Sequence, residues 1–162
     1  MSSDGFWADQ ESARSTVSEL KHLKVRLDPE SLRRVKAVLR QHTKRAQSMA
    51  MAKRIHRLNE YLVGWMGYFA LADTPSVFRD LDEWLRRRLR ACRWKEWKRG
   101  RTRYRMFRKL GLDEGTARQG FSKKGVWRMA HVGAMQRALP RSYWASLGLC
   151  SLAERYAMIR AV

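Results

Sequence analysis

The chain has 162 residues and a formal net charge of +20, with 35 Lys and Arg against 15 Asp and Glu. This length suits one domain or two small subdomains, and a hydrophobic content of 44% is enough for a packed core, which excludes a disordered basic tail. So large a positive excess disfavours metabolic enzymes with acidic pockets and favours a polyanionic partner. Nucleic acid is favoured over a membrane because no segment reaches roughly 18 uninterrupted apolar residues.

Residues 1–24 differ in composition from the rest of the chain. They contain four acids against three Lys or Arg, so the excess positive charge lies entirely after them. We treat them as a leader of uncertain role, with a helix expected from about Ala8 to Leu23. No basic start followed by an apolar block marks a secretion signal. Cys92 and Cys150 are far apart and lie in apolar patterns, so we expect reduced core thiols in a cytoplasmic protein.

Two amphipathic helices are predicted next. Asp28 and Pro29 form a good start for the first helix, about 29–45, because the carboxylate can cap it and proline loses no hydrogen bond there. A break around residues 46–48 follows, with Ser48 as a candidate cap for a second helix of about 49–70. The first helix carries a basic stripe opposite its apolar face, and the four residues of this stripe are candidate RNA-binding residues: Arg33, Lys36, Arg40 and Lys44.

Two glycines, Gly64 and Gly67, interrupt the second helix. Each costs about 1 kcal/mol relative to alanine, so each needs a structural reason. We expect the close approach of a neighbouring helix, with a kink at Gly64 as the alternative.

Thr74 and Pro75 start a long third helix, about 75–99. Its apolar stripe at helical spacing predicts the core face. The acids of its first half predict ion pairs at i,i+4 spacing, Asp82 with Arg86 and Glu83 with Arg87, in preference to a Mg²⁺ site. The core stripe consists of Phe78, Leu81, Leu85, Leu89 and Cys92.

The stretch from Arg86 to Lys109 is the most basic in the chain, with 13 Lys or Arg and one acid, Glu96. Dense positive charge with interleaved aromatic rings is typical of surfaces that bind a nucleic-acid backbone. Trp94 and Trp97 either pack beneath the segment after Gly100 or stack on RNA bases. The candidate RNA-binding residues here are Arg86, Arg87, Arg90, Arg93, Lys95, Lys98, Arg99, Arg101, Arg103 and Arg105, with Trp94 and Trp97.

Shorter helices are predicted after Gly100. The first, about 101–110, ends at Gly111, and Asp113 caps the next, which extends to about Gln119. A loop over 120–125 precedes a helix over 126–138, in which Trp127, Met135 and Leu139 are expected to be buried. A helical turn then runs from Pro140 to Gly148, and Ser151 caps a last helix.

No alternating pattern of useful length predicts a strand, so the fold class is all-α. We expect a helical bundle over 25–99 followed by a smaller helical subdomain over 100–162. The four histidines are scattered, no C-x-x-C occurs and no Gly-rich loop precedes a helix. We therefore expect no metal, no cofactor and no catalytic residue in this chain.

The residues resemble a known family. LNEYLVGWMGYFALADTPSVFRDLDEWLRRRLRACRWKEWKR (58–99) is similar to the maturase-specific region of bacterial group II intron-encoded proteins. The flanking segments agree: DPESLRRVKAVLRQHTKR before it, then KLGL, SKKGVWRMA, RALP and LGLCSLAERY after it. The resemblance covers roughly residues 25–158.

The resemblance implies a reverse transcriptase/maturase, whose fingers and palm copy RNA and whose helical thumb binds the intron RNA and helps it fold for splicing. A DNA-binding portion follows the thumb in that family. Residues 25–99 would be thumb-like and residues 100–162 the part that follows. The polymerase portion is missing from this sequence, which contains no Tyr-x-Asp-Asp, so reverse transcription does not carry over.

We therefore expect an RNA-binding maturase-type domain, a fragment of an intron-encoded reverse transcriptase that is not an enzyme on its own. Its partner would be structured group II intron RNA. Two alternatives stay open: a DNA-binding module of a mobile element that acts through residues 101–128, or a non-catalytic fragment that docks on a separate polymerase subunit. The second apolar side of the second helix, with Tyr61, Trp65 and Tyr68, would be covered either by a palm or by the C-terminal subdomain.

Overall fold

The computed structural model describes residues 27–69 and 73–161. The helix expected over residues 8–23 lies outside this range. Within the described residues there are helices and no strand, so the all-α prediction is confirmed. The α-helices are α1 (Pro29–His42), α2 (Met51–Phe69), α3 (Pro75–Glu96), α4 (Gly100–Lys109), α5 (Glu114–Ala117), α6 (Val126–His131), α7 (Gly133–Ala138), α8 (Arg141–Ser146) and α9 (Leu152–Arg160), with a 3₁₀ helix (Arg118–Phe121) after α5.

The predicted helix starts are mostly confirmed. The Asp28 carboxylate accepts a hydrogen bond from the Ser31 amide at 3.0 Å, and that of Asp113 accepts one from the Thr116 amide at 2.8 Å. These hydrogen bonds lower the pKa of both caps. Ser48 is not a cap, because α2 begins at Met51.

Gly111 ends α4 as predicted. Gly111 has a φ of +85°, a conformation that glycine adopts at little cost. This conformation lets the Leu112 amide donate a hydrogen bond to the Phe107 carbonyl across the end of the helix, at 3.0 Å. Both Leu112 and Phe107 are buried, so the turn after α4 is packed as well as hydrogen-bonded.

One hydrophobic core runs from α1 to α9. The predicted α3 stripe is fully buried, and Val35 and Leu39 of α1 join it. The core continues past residue 100, because Phe78 stacks on Tyr156 of α9 with ring centroids 4.8 Å apart. The division of the chain at residues 99 and 100 stays a prediction.

The single helix predicted over 126–138 is wrong. Val132 has an extended backbone, with φ −68° and ψ 142°, and separates α6 from α7. β-Branched Val132 and the following Gly133 both disfavour a helix interior, and the Ala130 carbonyl at the end of α6 accepts from Arg90 instead. Trp127 was expected to be buried, but 41% of it is exposed.

The close helix approach predicted at Gly64 and Gly67 is also wrong for the described residues. A Cβ atom added at either position would meet nothing within 4 Å, so no residue of ranges 27–69 and 73–161 approaches them closely. The close approach occurs at Gly120, where a Cβ would lie 2.5 Å from the Tyr104 amide nitrogen. The 3₁₀ helix therefore packs directly on the backbone of α4.

Asp82 does not pair with Arg86, although Glu83 and Arg87 do pair, at 3.1 Å. The buried Asp82 carboxylate accepts three hydrogen bonds at the start of α9: from the Ser151 hydroxyl at 2.9 Å, the Leu152 amide at 3.0 Å and the Ala153 amide at 3.1 Å. Ser151 in turn caps α9 by accepting from the Glu154 amide at 3.4 Å. Asp82 thus fixes the last helix to the middle of α3.

Replacing Asp82 by alanine is expected to lower the free energy of unfolding by about 2–4 kcal/mol, because it leaves two amides and a hydroxyl without their charged acceptor. The matched control is Asp80→Ala, which removes an exposed carboxylate two residues away. Urea denaturation measures both. Equal stability of the two variants would contradict the capping role of Asp82.

The glycines give a second prediction. Gly120→Ala should destabilise the fold by about 1–3 kcal/mol, because the new methyl group overlaps backbone. Gly64→Ala should instead stabilise it by about 0.5–1 kcal/mol, since the space is open and alanine restricts the unfolded chain. Thermal unfolding of the two variants checks the opposite signs, and a loss of stability in Gly64→Ala would show that the helix needs that glycine.

Candidate nucleic-acid interface

The turn between α1 and α2, residues 43–50, is fixed to α3 through Thr43. The buried Thr43 hydroxyl donates to the Leu39 carbonyl at 2.6 Å and accepts from the Arg88 Nε at 2.6 Å. The Thr43 carbonyl accepts from the Cys92 thiol at 3.4 Å. Burial raises the pKa of that thiol, so it stays a neutral donor. The start of the turn is therefore held against the middle of α3.

Arg54 holds the same turn from α2. Only 2% of this arginine is exposed, and its guanidinium donates to the carbonyls of His42, Lys44 and Gln47. These carbonyls lie at and after the end of α1, where the helix dipole favours a positive charge. Arg54 therefore fixes the path of the backbone while its own charge is matched by backbone dipoles.

The fixed turn and the end of α3 enclose a positively charged groove. It consists of two adjoining depressions that share Arg45, Ala46 and Lys95, and Trp127 of α6 borders one of them. Glu96 is its one carboxylate among the described residues. We call this surface the basic groove, and its cations are Lys44, Arg45, Arg88, Arg93, Lys95, Lys98 and Arg103.

Arginines and tryptophans alternate in a row that leads into the basic groove, which Arg88, Trp127 and Arg45 of this row line. The Arg88 guanidinium lies 5.2 Å from the Trp84 ring centroid and 5.4 Å from that of Trp127. Arg40 lies 5.6 Å from Trp84, and Arg45 lies 5.1 Å from Trp127. Burial lowers the pKa of Arg88, and the charges of Arg40 and Arg45 lower it further. Sequence reasoning did not select Arg45, Arg88 or Trp127 as binding residues.

The predicted binding residues do not form one surface. Lys44, Arg93, Lys95, Lys98 and Arg103 line the basic groove. The half-buried Arg86 lies elsewhere, in a depression with Asp82, Glu83 and Arg141. Three predicted residues pair with acids: Arg33 with Glu30 at 3.2 Å, Arg87 with Glu83 at 3.1 Å and Arg93 with Glu96 at 2.7 Å. The other exposed or half-buried members are Lys36, Arg40, Arg99, Arg101 and Arg105.

The structure removes Trp94 and Trp97 from the set of binding residues. Only 1% of Trp94 and 6% of Trp97 is exposed, and both rings pack on Phe107 of α4 with centroids 6.1 and 5.8 Å away. The Arg103 guanidinium covers Trp94 at 4.1 Å. The alternative that they pack beneath the segment after Gly100 is confirmed, and no ring face is left for a base.

Arg90 is removed as well. It is 7% exposed, and its Nε donates to the Ala130 carbonyl at 3.1 Å. Burial lowers the pKa of Arg90, and the neighbouring charges of Arg86 and Arg87 lower it further. Its function in the fold is to bind the end of α6, so it is not available to a phosphate.

Within the described ranges, no group of three or more His, Cys, Asp or Glu residues is placed to hold a metal ion. None of the helices in those ranges is both long and apolar enough to span a bilayer.

Comparison with known families gives a match over part of the chain. Residues 32–111 match the model of the group II intron maturase-specific domain. The matched range runs from α1 to the turn after α4, so it includes the 43–50 turn and the end of α3. Comparison with curated proteins gave no match.

The hydrogen bonds from Arg54 to the turn give a testable prediction. Arg54→Met keeps the length of the side chain but leaves three carbonyls without their donor, so the free energy of unfolding should fall by about 3 kcal/mol. Lys53→Met, at the exposed neighbouring position, should change it by less than about 0.5 kcal/mol. Chemical denaturation compares the two, and an equally stable Arg54→Met would show that Arg54 does not hold the turn.

Proposed function

Because residues 32–111 are a group II intron maturase-specific domain, we propose that this chain binds folded group II intron RNA through the basic groove and supports its folding for splicing. The splicing chemistry would be performed by the RNA. Phosphate contacts would supply the affinity, and the shape of the folded RNA would supply most of the selectivity.

The observation that carries this proposal is the charge balance of the basic groove. Within residues 27–69 and 73–161, Lys44, Arg45, Lys95 and Lys98 take part in no ion pair. Cations this close together repel one another, and a polyanion relieves that repulsion while it releases its counterions. The fixed turn keeps these cations together before any ligand binds.

We further propose that the chain acts as the non-catalytic thumb portion of an intron-encoded reverse transcriptase. An exposed side of α2 supports a contact with a polymerase portion. Tyr68 is 79% exposed and Val63 is 39% exposed, and no described residue fills the space beside Gly64 and Gly67. Such a surface suits packing against another protein body.

Duplex DNA is the second candidate ligand, at a different surface. α4 exposes Arg101, Arg105 and Arg108, and beside it the half-exposed Phe121 stacks on Tyr104 with centroids 5.6 Å apart. This combination of charge and an exposed ring supports a backbone contact outside the basic groove.

Binding of a group II intron RNA should weaken steeply as salt rises. Lys95→Ala should weaken binding at every salt concentration and reduce the slope of log K against log salt by about 0.7–0.9, the value of one phosphate contact. Lys53→Ala, an exposed cation of α2 that does not line the groove, is the control and should leave the slope unchanged. Filter binding with the RNA and with duplex DNA of equal length measures both ligands.

An affinity for the RNA that does not depend on salt would contradict the proposal. The DNA alternative would replace the proposal if the protein bound duplex DNA more tightly than the RNA, and if Arg101→Ala lost this binding while Lys95→Ala kept it.

A further inference from the structure

The row of alternating arginines and tryptophans contains one ring that is open to solvent, that of Trp127. Trp84 and Arg88 form the inner part, and Arg88 is held in place by its hydrogen bond to the Thr43 hydroxyl. Trp127 is the outermost ring, and 41% of it is exposed. The aromatic surface is thus supported from inside by a fixed guanidinium and faces outward into the basic groove.

Arg45 is a second guanidinium beside the exposed Trp127 ring. It is exposed, it lies 5.1 Å from the Trp127 centroid, and within the described residues it makes no hydrogen bond or ion pair. Its flat guanidinium can therefore move from the indole or lie on a flat ligand without losing another partner. A guanidinium and an indole are two groups on which unpaired RNA bases stack.

Phosphate-binding cations lie beside the ring. Lys44 and Lys95 line the same depression as Trp127, and both are exposed. A nucleotide placed with its base at Trp127 would have cations within reach of its phosphates. A cation-rich groove alone would suit any polyanion, but an exposed indole among the cations favours a ligand that has both charge and a free aromatic face.

We propose that Trp127 is a stacking platform for one unpaired base of the bound RNA, with Arg45 lying on that base and with Lys44 and Lys95 holding the adjoining phosphates. The ligand class is single-stranded, looped or bulged RNA, because the base faces of a regular duplex are already covered by their neighbours. This inference rests on the proposed RNA binding and names the part of the RNA that this end of the groove binds.

The test combines a change in the protein with a change in the RNA. One ligand is a single-stranded RNA with no self-complementarity, and the other is the same strand with internal abasic nucleotides, which keep every phosphate and lose the base faces. Wild-type protein should bind the intact strand about tenfold or more tightly than the abasic strand, as expected for one stacked base. In Trp127→Ala this preference should disappear, whereas in Trp127→Phe part of it should remain.

The controls separate this inference from the proposed function. Tyr68→Ala removes a more exposed ring outside the groove and should keep the full preference for the intact strand. Lys95→Ala should weaken both strands by the same factor. If wild-type protein binds both strands equally well and with a steep salt dependence, the stacking inference is overturned and RNA binding stands; if it binds neither strand nor intron RNA, both fail.

Discussion

The candidate site depends on how one turn of backbone is held. Thr43 is the shared point: its hydroxyl and carbonyl accept from Arg88 and Cys92 of α3, while Arg54 of α2 bonds the carbonyls on either side of it. Removing two guanidiniums from water is costly, and the cost is offset here because each is bonded to backbone or hydroxyl oxygens near the negative end of α1. These bonds hold residues 43–50 against α3, and the groove lies between the two.

The arginines and lysines of the basic stretch 86–109 therefore serve two different purposes. Some are part of the fold: Arg88 clamps the turn, Arg90 binds the end of α6, and Arg103 covers Trp94. Others, such as Lys95 and Lys98, point into the groove without an ion pair among the described residues. The density of positive charge in a sequence thus overstates the size of a binding surface. The sequence does not distinguish an arginine that bonds the end of a helix from a cation that is free to bind a phosphate.

Most features set by neighbours in sequence could be predicted, although Ser48 is not a cap. Most features set by distant contacts could not. The caps Asp28, Asp113 and Ser151 and the glycine end of α4 follow from local hydrogen bonding, and each was found. The acceptor role of Asp82 was missed because its donors are about 70 residues away, where spacing along one helix carries no information. Trp127 was placed in the core because tryptophan is highly buried on average. Arg45 was not selected because the first helix was expected to run to it, whereas α1 ends at His42 and leaves Arg45 in the break between the helices. The groove exists only once that break is folded against α3.

The most direct measurement of whether RNA occupies the groove is lysine reactivity. The complex with a group II intron RNA is treated with an acylating reagent, and the modification of each lysine is quantified by mass spectrometry against the free protein. Occupation of the basic groove predicts that Lys44, Lys95 and Lys98 become protected while Lys53 on α2 reacts as before. If Lys44, Lys95 and Lys98 stay as reactive as Lys53 while the RNA is bound, the RNA lies elsewhere on the molecule and the groove is not its binding site.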